Sequence, residues 1–407
     1  MYKKSLFLIV LFCAAVNAQW IQTNAPRGMR ITSMAVSGKN LIAGTWENGV
    51  FISTDNGTNW TAIDSGLTNN YVNALAVTGN NLFAGTYEGV FISTNNGTNW
   101  TAVSANNNLN PYPTLVKTFA TRITDTGTDL FAGGTSLKVS SDNGTSWGII
   151  DNVLDGNEIT SLAINGTSLF VGTGYNGIYY FTNYGGSWYF IKHCFTNKYV
   201  YSLAVQGTNL FAAINDGVYL STDSGTNWVA VKNGMAYPYA NSLFVNGTNI
   251  FAGTGGGVYL STNNGTNWAA VNDGLNNDII VISFAVSGAY IFISTLNNGI
   301  WMRPLSEVIT DVKNRLNNLP TSFSLQQNFP NPFNPTTTID YSLPKSEFVT
   351  IKLYDAIGRE IKTLVKGQKT AGNYSMQFNG SNLSSGIYFY RMQSGNYVET
   401  RKLLLLK

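Results

Sequence analysis

Apolar residues in the first three-quarters of the chain come in short runs, each closed by Gly, Asn or Ser. In one stretch Ala74-Leu75-Ala76-Val77, Leu82-Phe83-Ala84-Gly85-Thr86, Val90-Phe91-Ile92-Ser93 and Trp100-Thr101-Ala102-Val103 follow one another, parted by Gly/Asn turns. Runs this short, bounded by turn residues and rich in β-branched and aromatic side chains, predict strands. The group of four then recurs. Trp60, Trp100, Trp147, Trp188, Trp228 and Trp268 mark it at spacings of 40, 47, 41, 40 and 40 residues, the period of a four-stranded propeller blade.

First strands with a similar core occur at Met34-Ala35-Val36, Leu75-Ala76-Val77, a divergent Phe119 to Ile123, Leu162-Ala163-Ile164, Leu203-Ala204-Val205, Leu243-Phe244-Val245 and Phe284-Ala285-Val286. That predicts seven blades over residues 19–304. The last unit stops after Gly299-Ile300-Trp301-Met302, before a fourth strand, while Trp20-Ile21-Gln22-Thr23 lies 40 residues before Trp60 with no blade of its own. The N-terminal strand is therefore expected to complete the last blade and close the ring, which leaves fewer exposed sheet edges than an open array.

Each tryptophan follows a turn with a fixed spelling, such as Ser53-Thr54-Asp55-Asn56-Gly57-Thr58-Asn59-Trp60. Asp55 is placed to accept backbone N–H bonds inside the turn, Gly57 to supply a positive φ, and Trp60 to leave it as an apolar anchor. The same roles fall to Asn95 and Trp100, Asp142 and Trp147, Asn183 and Trp188, Asp223 and Trp228, and Asn263 and Trp268, with Phe181 replacing the leading Ser in the fourth copy. Asp and Asn interchange freely, which suits turn capping and not a catalytic or calcium-binding carboxylate. The pattern Ser-x-Asp-x-Gly-x-x-Trp, whole in Ser53 to Trp60 and Ser221 to Trp228, resembles the Asp-box (BNR-like repeat) of sialidases, sortilin-like receptors, xyloglucanases and a photosystem assembly factor. The resemblance implies the propeller and says little about chemistry, because those families include hydrolases, receptors and assembly factors.

Residues 305–320 read as a linker, briefly helical at Ser306 to Leu316, and the style then changes. Pro330, Pro332, Pro335 and Pro344 force extended, turn-rich chain. Alternating strands follow at Val349 to Tyr354, Glu360 to Val365, Tyr374 to Phe378, Ile387 to Met392 and Thr400 to Leu406, which predicts a small β-sandwich over 321–407. Asn331-Pro332-Phe333-Asn334-Pro335-Thr336-Thr337, Tyr354-Asp355 with Gly358-Arg359, Ser385-Gly386-Ile387-Tyr388-Phe389-Tyr390-Arg391 and the terminal Lys402 to Lys407 resemble the type A C-terminal sorting domain of the type IX secretion system. That resemblance implies an immunoglobulin-like sandwich that engages the secretion machinery. Phe378-Asn379-Gly380 departs from the Trp-Asp-Gly of many members.

Composition narrows the class. With 11% charged residues, 13% aromatic and 41 glycines, the fold class is all-β: a seven-bladed propeller plus the small sandwich. Residues 19–304 carry ten Lys/Arg against fourteen Asp/Glu, and 305–407 carry twelve against seven, so no broad basic field suggests nucleic acid. Lys3 and Lys4 precede an apolar run from Leu6 to Val16 and the small residues at Asn17-Ala18, which reads as a signal peptide over 1–18. No later segment is long and apolar enough to span a membrane. Without the signal one thiol is left, Cys194, so no intrachain disulfide is expected.

The loops opposite the boxes are where the repeat stops repeating. Trp46, Glu47, Tyr87, Glu88, Tyr112, Tyr175, Asp216, Tyr237 and Tyr239 fall there, and aromatic faces beside amides and carboxylates suit sugar rings or protein side chains. A sialidase arginine triad is not spelled out by Arg27, Arg30, Arg122 and Arg303. His193 is the sole histidine, which supports neither a His-ligated metal nor a Ser-His-Asp triad. The sequence thus leads to a monomeric secreted or cell-surface protein with no cofactor or metal, binding an extracellular glycan or protein. Catalysis is disfavoured; the alternative is a glycoside hydrolase or related carbohydrate-active enzyme with paired carboxylates such as Glu47 and Glu88 on that rim.

Overall fold

The structure, a computed structural model, describes residues 19–25, 28–103, 115–125, 127–150, 154, 156–276, 279–317, 320–369 and 371–407, with residues 313–317 as backbone alone. The signal-peptide reading, Arg27 and Tyr112 lie outside the described residues. Seven four-stranded antiparallel sheets make up the propeller. Their inner strands are Ile31–Ser37, Val72–Thr78, Val116–Thr124, Ile159–Asn165, Val200–Gln206, Ala240–Asn246 and Val281–Ser287, for blades 1 to 7. Each inner strand packs beside the next, and the seventh beside the first.

The second strands are sandwiched between neighbouring blades. In Asn81–Thr86 every position after the first is buried, so the sequence reads as a continuous apolar run and not as an alternation. A glycine recurs there for a packing reason. A Cβ on Gly44, Gly85, Gly133, Gly172 or Gly253 would stand within 2.6–2.7 Å of a methyl of Val72, Val116, Ile159, Val200 or Val281, the residue that opens the next blade. Blade 5 has Ala213 instead, and the blade after it opens with the smaller Ala240. The pair keeps its summed volume, as close-packed interiors require.

The ring closes as the repeat predicts. Ile21–Gln22 pairs with Ile300–Pro304, setting Ile21 against Met302 and Gln22 against Trp301. Trp20 is 3% exposed and donates its indole N–H to the Val271 carbonyl at 2.6 Å. Trp100 and Trp268 bond the preceding blade in the same way, to Ile63 and Val231, whereas the indoles of Trp60, Trp147 and Trp228 reach back to their own turn glycines.

Five copies of the turn share one geometry. In the first, Ser53 donates to Asp55 Oδ1 at 2.9 Å and accepts from Gly57 N at 2.8 Å, while Asn59 N donates to Asp55 Oδ1 at 2.8 Å. Asn95 and Asn263 accept the corresponding bonds from Asn99 and Asn267. The fourth copy is different and corrects the expectation for Asn183 and Trp188. They face each other across a ladder that closes at Tyr184 and Ser187. Phe181 offers no hydroxyl, and Gly185-Gly186, both at positive φ, permit a two-residue hairpin turn instead.

At the seventh blade the box serine position is taken by Arg303, 1% exposed, whose Nη2 bonds Asp311 at 2.6 Å. Asp311 belongs to the helix Leu305–Asn317. Val308 and Val312 of that helix are fully buried with Trp20, Trp301, Val258 and Val271, so the segment read as a linker seals the ring closure.

The sandwich packs Ser324–Leu325, Thr336–Leu343 and Gly372–Asn379 against a sheet of Glu347–Tyr354, Glu360–Lys369, Gly386–Ser394 and Tyr397–Leu405. Thr336–Leu343 was not expected as a strand. The prolines flank it and leave its own N–H groups free to pair with Gly372–Asn379. Tyr390, fully buried, donates to Gln326 O at 2.6 Å and accepts from Asn328 N at 2.8 Å, fastening the proline-rich segment. Burial pushes its phenol up to about 12. Ser346 meets the propeller, donating its N–H to Asn233 Oδ1 at 2.6 Å and accepting from Gly234 N at 3.0 Å.

Two outcomes check this architecture. Trp20→Ala is expected to cost about 3–5 kcal/mol in chemical denaturation, the range for a large buried aromatic. Hydrogen bonds from the Asn227 backbone and side chain hold the Asp223 carboxyl at about 2, below its ordinary 3.8. Its contribution to stability is therefore complete above the unfolded value and is lost as pH falls through about 2. An NMR titration should place its midpoint there, and Asp223→Asn should keep the turn, as Asn95 and Asn263 do.

Candidate binding site at the axial mouth

Every inner strand slips its pairing register directly after its first residue. The extra residues are Thr32, Asn73, Lys117, Thr160, Tyr201, Asn241 and Ile282, one per blade. A bulge leaves its residue out of the ladder and re-aims the side chain. All of them except Asn241 line a single cavity of ≈ 290 Å3 together with Arg30, Trp46 and Tyr199. With residues from six blades around it, the cavity is the mouth of the propeller axis.

The ring does two jobs. Thr32 donates to the Val72 carbonyl, Thr160 to Val200 at 2.5 Å, Asn73 to Val116 at 3.2 Å and Asn241 to Val281 at 3.5 Å. Each acceptor opens the next blade. The small residue that follows adds a second tie: Ser33, Ser161 and Ser202 accept from Leu75, Leu203 and Leu243 N–H groups. Four bulged residues thus fasten blade to blade and satisfy backbone groups the bulges set free. Lys117, Tyr201 and Ile282 make no such bond among the described residues.

The charges and rings around them set the chemistry. Lys117 pairs with Glu158 at 2.7 Å. Tyr201 lies 4.6 Å from Tyr199, which meets Tyr175 edge-on at 6.2 Å. Burial raises the Tyr199 phenol above its ordinary range, opposed by Lys117 and reinforced by Glu158. Trp46, Tyr71 and Tyr87 form a mutual edge-to-face trio at 5.5–5.7 Å, with the Arg30 guanidinium 4.8 Å over Trp46. Arg122 and Arg303 are engaged elsewhere, with Asp129 and Asp311.

The expected rim residues divide. Trp46, Tyr87 and Tyr175 belong to the mouth or its aromatic border. Glu47 and Glu88 are exposed on equivalent loops of blades 1 and 2, and Glu88 accepts from Thr68 at 3.2 Å. Asp216 is held by Lys198 at 2.9 Å; burial would raise its carboxyl, but bonds from Lys198 and Tyr219 take it below its ordinary value. Tyr237 borders a separate pocket of ≈ 510 Å3 with Gly255, Gly256, Gly257, Asn272 and Ile279. Its ring packs so closely that a Cβ on Gly256 would lie 2.2 Å from it. Tyr239 is exposed nearby.

Sequence reasoning passed over Thr32, Tyr71, Asn73, Lys117, Thr160, Tyr199, Tyr201, Asn241 and Ile282. A signal for the bulged ones was there. Aligned inner strands begin Ile-Thr-Ser-Met, Val-Asn-Ala-Leu, Val-Lys-Thr-Phe, Ile-Thr-Ser-Leu, Val-Tyr-Ser-Leu, Ala-Asn-Ser-Leu and Val-Ile-Ser-Phe. The second letter varies in size and charge while its neighbours hold. Among the described residues no group of three His, Cys, Asp or Glu could hold a metal, and no helix is long and apolar enough to cross a membrane.

Residues 327–406 match the family described as the secretion system C-terminal sorting domain. The sandwich is a C-terminal sorting domain of type IX secretion. It marks the chain for export to the cell surface or the extracellular space. A search of curated proteins found no match. Solved structures similar to the rest include YCF48 from Cyanidioschyzon merolae, at 14% identity over 71% of this chain and 99% of that one, with a TM-score of 0.54. YCF48 bound to D1 peptide gives 15% identity, 71% and 96% coverage and a TM-score of 0.55. A catalytically inactive virginiamycin B lyase from Staphylococcus aureus with quinupristin gives 12%, 71%, 99% and 0.56. These neighbours are propellers, and the likeness shows the fold alone.

The two jobs of the ring are separable by mutation. Thr160→Val is expected to destabilise the protein by about 1 kcal/mol through a lost blade tie, whereas Tyr201→Ala should stay within about 0.5 kcal/mol, both read from urea denaturation.

Proposed function

We propose that the chain is a non-enzymatic binding or scaffold protein of the cell surface or secreted fraction, and that it holds an extracellular glycan or protein at the axial mouth. Residues 1–18 serve as the export signal, the sorting domain engages the type IX machinery, and the tryptophan turns act as Asp-boxes that only fasten the blades. One observation carries the reading: of seven equivalent bulged residues, four bond the carbonyl that opens the next blade, Lys117 reaches the next blade only through its ion pair with Glu158, Tyr201 and Ile282 make no such bond among the described residues, and these last three differ from one another in charge, shape and polarity. A structural ring would be uniform. A recognition surface gains from such variety, because specificity comes from a few placed groups on an apolar floor. The aromatic border of Trp46, Tyr87 and Tyr175 extends that floor. A propeller of similar fold is known with a bound peptide, which supports a protein ligand beside a glycan.

Binding is favoured over turnover because two of the nearby carboxylates are already ion-paired and the other two are copies of one repeat position. Asp216 is neutralised by Lys198, Glu158 by Lys117, and Glu47 and Glu88 repeat one position on adjacent blades.

The test is an array of glycans and peptides probed with the purified chain and with Lys117→Ala/Tyr201→Ala. The variant should lose at least about tenfold in affinity, roughly 1.4 kcal/mol, at unchanged thermal unfolding. Equal binding by both proteins would remove the mouth as the site. Aryl-glycoside turnover abolished by Glu47→Gln or Glu88→Gln would establish the enzymatic alternative.

A further inference from the structure

Blade 4 ends unlike the other six. Their outer strands are two residues long, whereas Ser187–Cys194 runs for eight. It lies at the sheet edge, and among the described residues no strand pairs with its free side. An edge of this length presents a row of unpaired backbone N–H and C=O groups, and proteins ordinarily blunt such edges with charge, proline or brevity. Here Tyr189, Phe190 and Ile191 follow one another in the open, at 52%, 39% and 48% exposure. The outer strands of the neighbouring blades add exposed Ile149 and Val229. Blades 3 to 5 therefore share an apolar flank, away from the axial mouth.

We propose that Ser187–Cys194 is a dimerisation edge that pairs antiparallel with the same strand of a second copy, about a two-fold axis between Phe190 and Ile191. The sequence alone leads to the expectation of a monomer; the length and exposure of this strand are what change it. The segment Ser-Trp-Tyr-Phe-Ile-Lys-His-Cys complements itself in this register. Phe190 stands across from Ile191 of the second copy, Tyr189 across from Lys192, Trp188 across from His193 and Ser187 across from Cys194. Lys192, which in its own subunit lies over Tyr180 and donates to Thr226, meets the exposed Tyr189 ring of the second copy, and no like charges face each other. Sliding the strands toward Cys194 would set Lys192 against Lys192, which costs free energy. The pairing inside the blade skips Ile191, since Phe181 faces Phe190 and Tyr180 faces Lys192. That extra residue shifts the alternation of the edge by one, as a pairing of even with odd positions requires. The contact is isologous and closes at two subunits. Its small area makes the dimer weak and dependent on concentration.

Sedimentation of the purified chain over a concentration series is expected to show the particle mass doubling at the high end. Tyr189→Lys/Ile191→Lys should return the monomer at every concentration, with thermal unfolding unchanged. Tyr189→Cys/Lys192→Cys in a Cys194→Ser background places thiols across from each other in the two copies, so mild oxidation should trap a covalent dimer that Tyr189→Cys/Cys194→Ser does not form. A chain that stays monomeric throughout overturns the proposal. So does a dimer that Tyr189→Cys/Lys192→Cys fails to trap, or one that the double lysine variant leaves intact.

Discussion

A propeller blade buries both faces only if a neighbour lies on each side, and everything in this molecule depends on how closely those neighbours approach. The distance is set by one contact repeated at five of the seven blade junctions: the glycine of the second strand against the β-branched residue that opens the next blade, with Ser294 at the equivalent position of blade 7. Without a side chain at that point, the methyls of Val72, Val116, Ile159, Val200 and Val281 sit against backbone. Blade 5 keeps the spacing by another route, with Ala213 and Ala240 sharing the volume. The ring must also close, and Trp20 reaches across to Val271 so that the seventh blade is covered like the rest.

That close approach generates the axial mouth. Each inner strand, packed beside its neighbours, bulges after its first residue. The bulge releases a carbonyl, which a Thr or Asn of the preceding blade then takes up. Where Lys117, Tyr201 or Ile282 stands instead, no such bond forms among the described residues and the side chain lines the mouth, Lys117 with its ammonium paired to Glu158. On the proposed reading, stability and recognition share one ring of positions, and the identity of a single residue per blade decides which role is played.

Departures from the repeat are informative for the same reason. Where the box fails at blade 7, Arg303 and the helix Leu305–Asn317 cover the closure. Where it fails at blade 4, the chain turns at two glycines and runs on as a long outer strand. The first departure completes the apolar core. The second leaves an edge with which, among the described residues, no strand pairs.

Blade number, ring closure, the turn chemistry of Asp55 and its equivalents other than Asn183, and the sorting domain were legible in the residues, because each is carried by local spacing: a 40-residue period, a Ser-x-Asp-x-Gly turn, a run of alternating strands. The aromatic rim was legible in part, since Trp46, Tyr87 and Tyr175 interrupt the repeat. The helix seal, the strand Thr336–Leu343 and the long edge of blade 4 were not, because they depend on what a segment packs against and not on its own pattern. The mouth shows the division most plainly. The varying second letter of each inner strand stands in the sequence, but only the tertiary structure brings seven such letters, spread over 250 residues from Thr32 to Ile282, around one axis and shows which of them are spent on hydrogen bonds between blades.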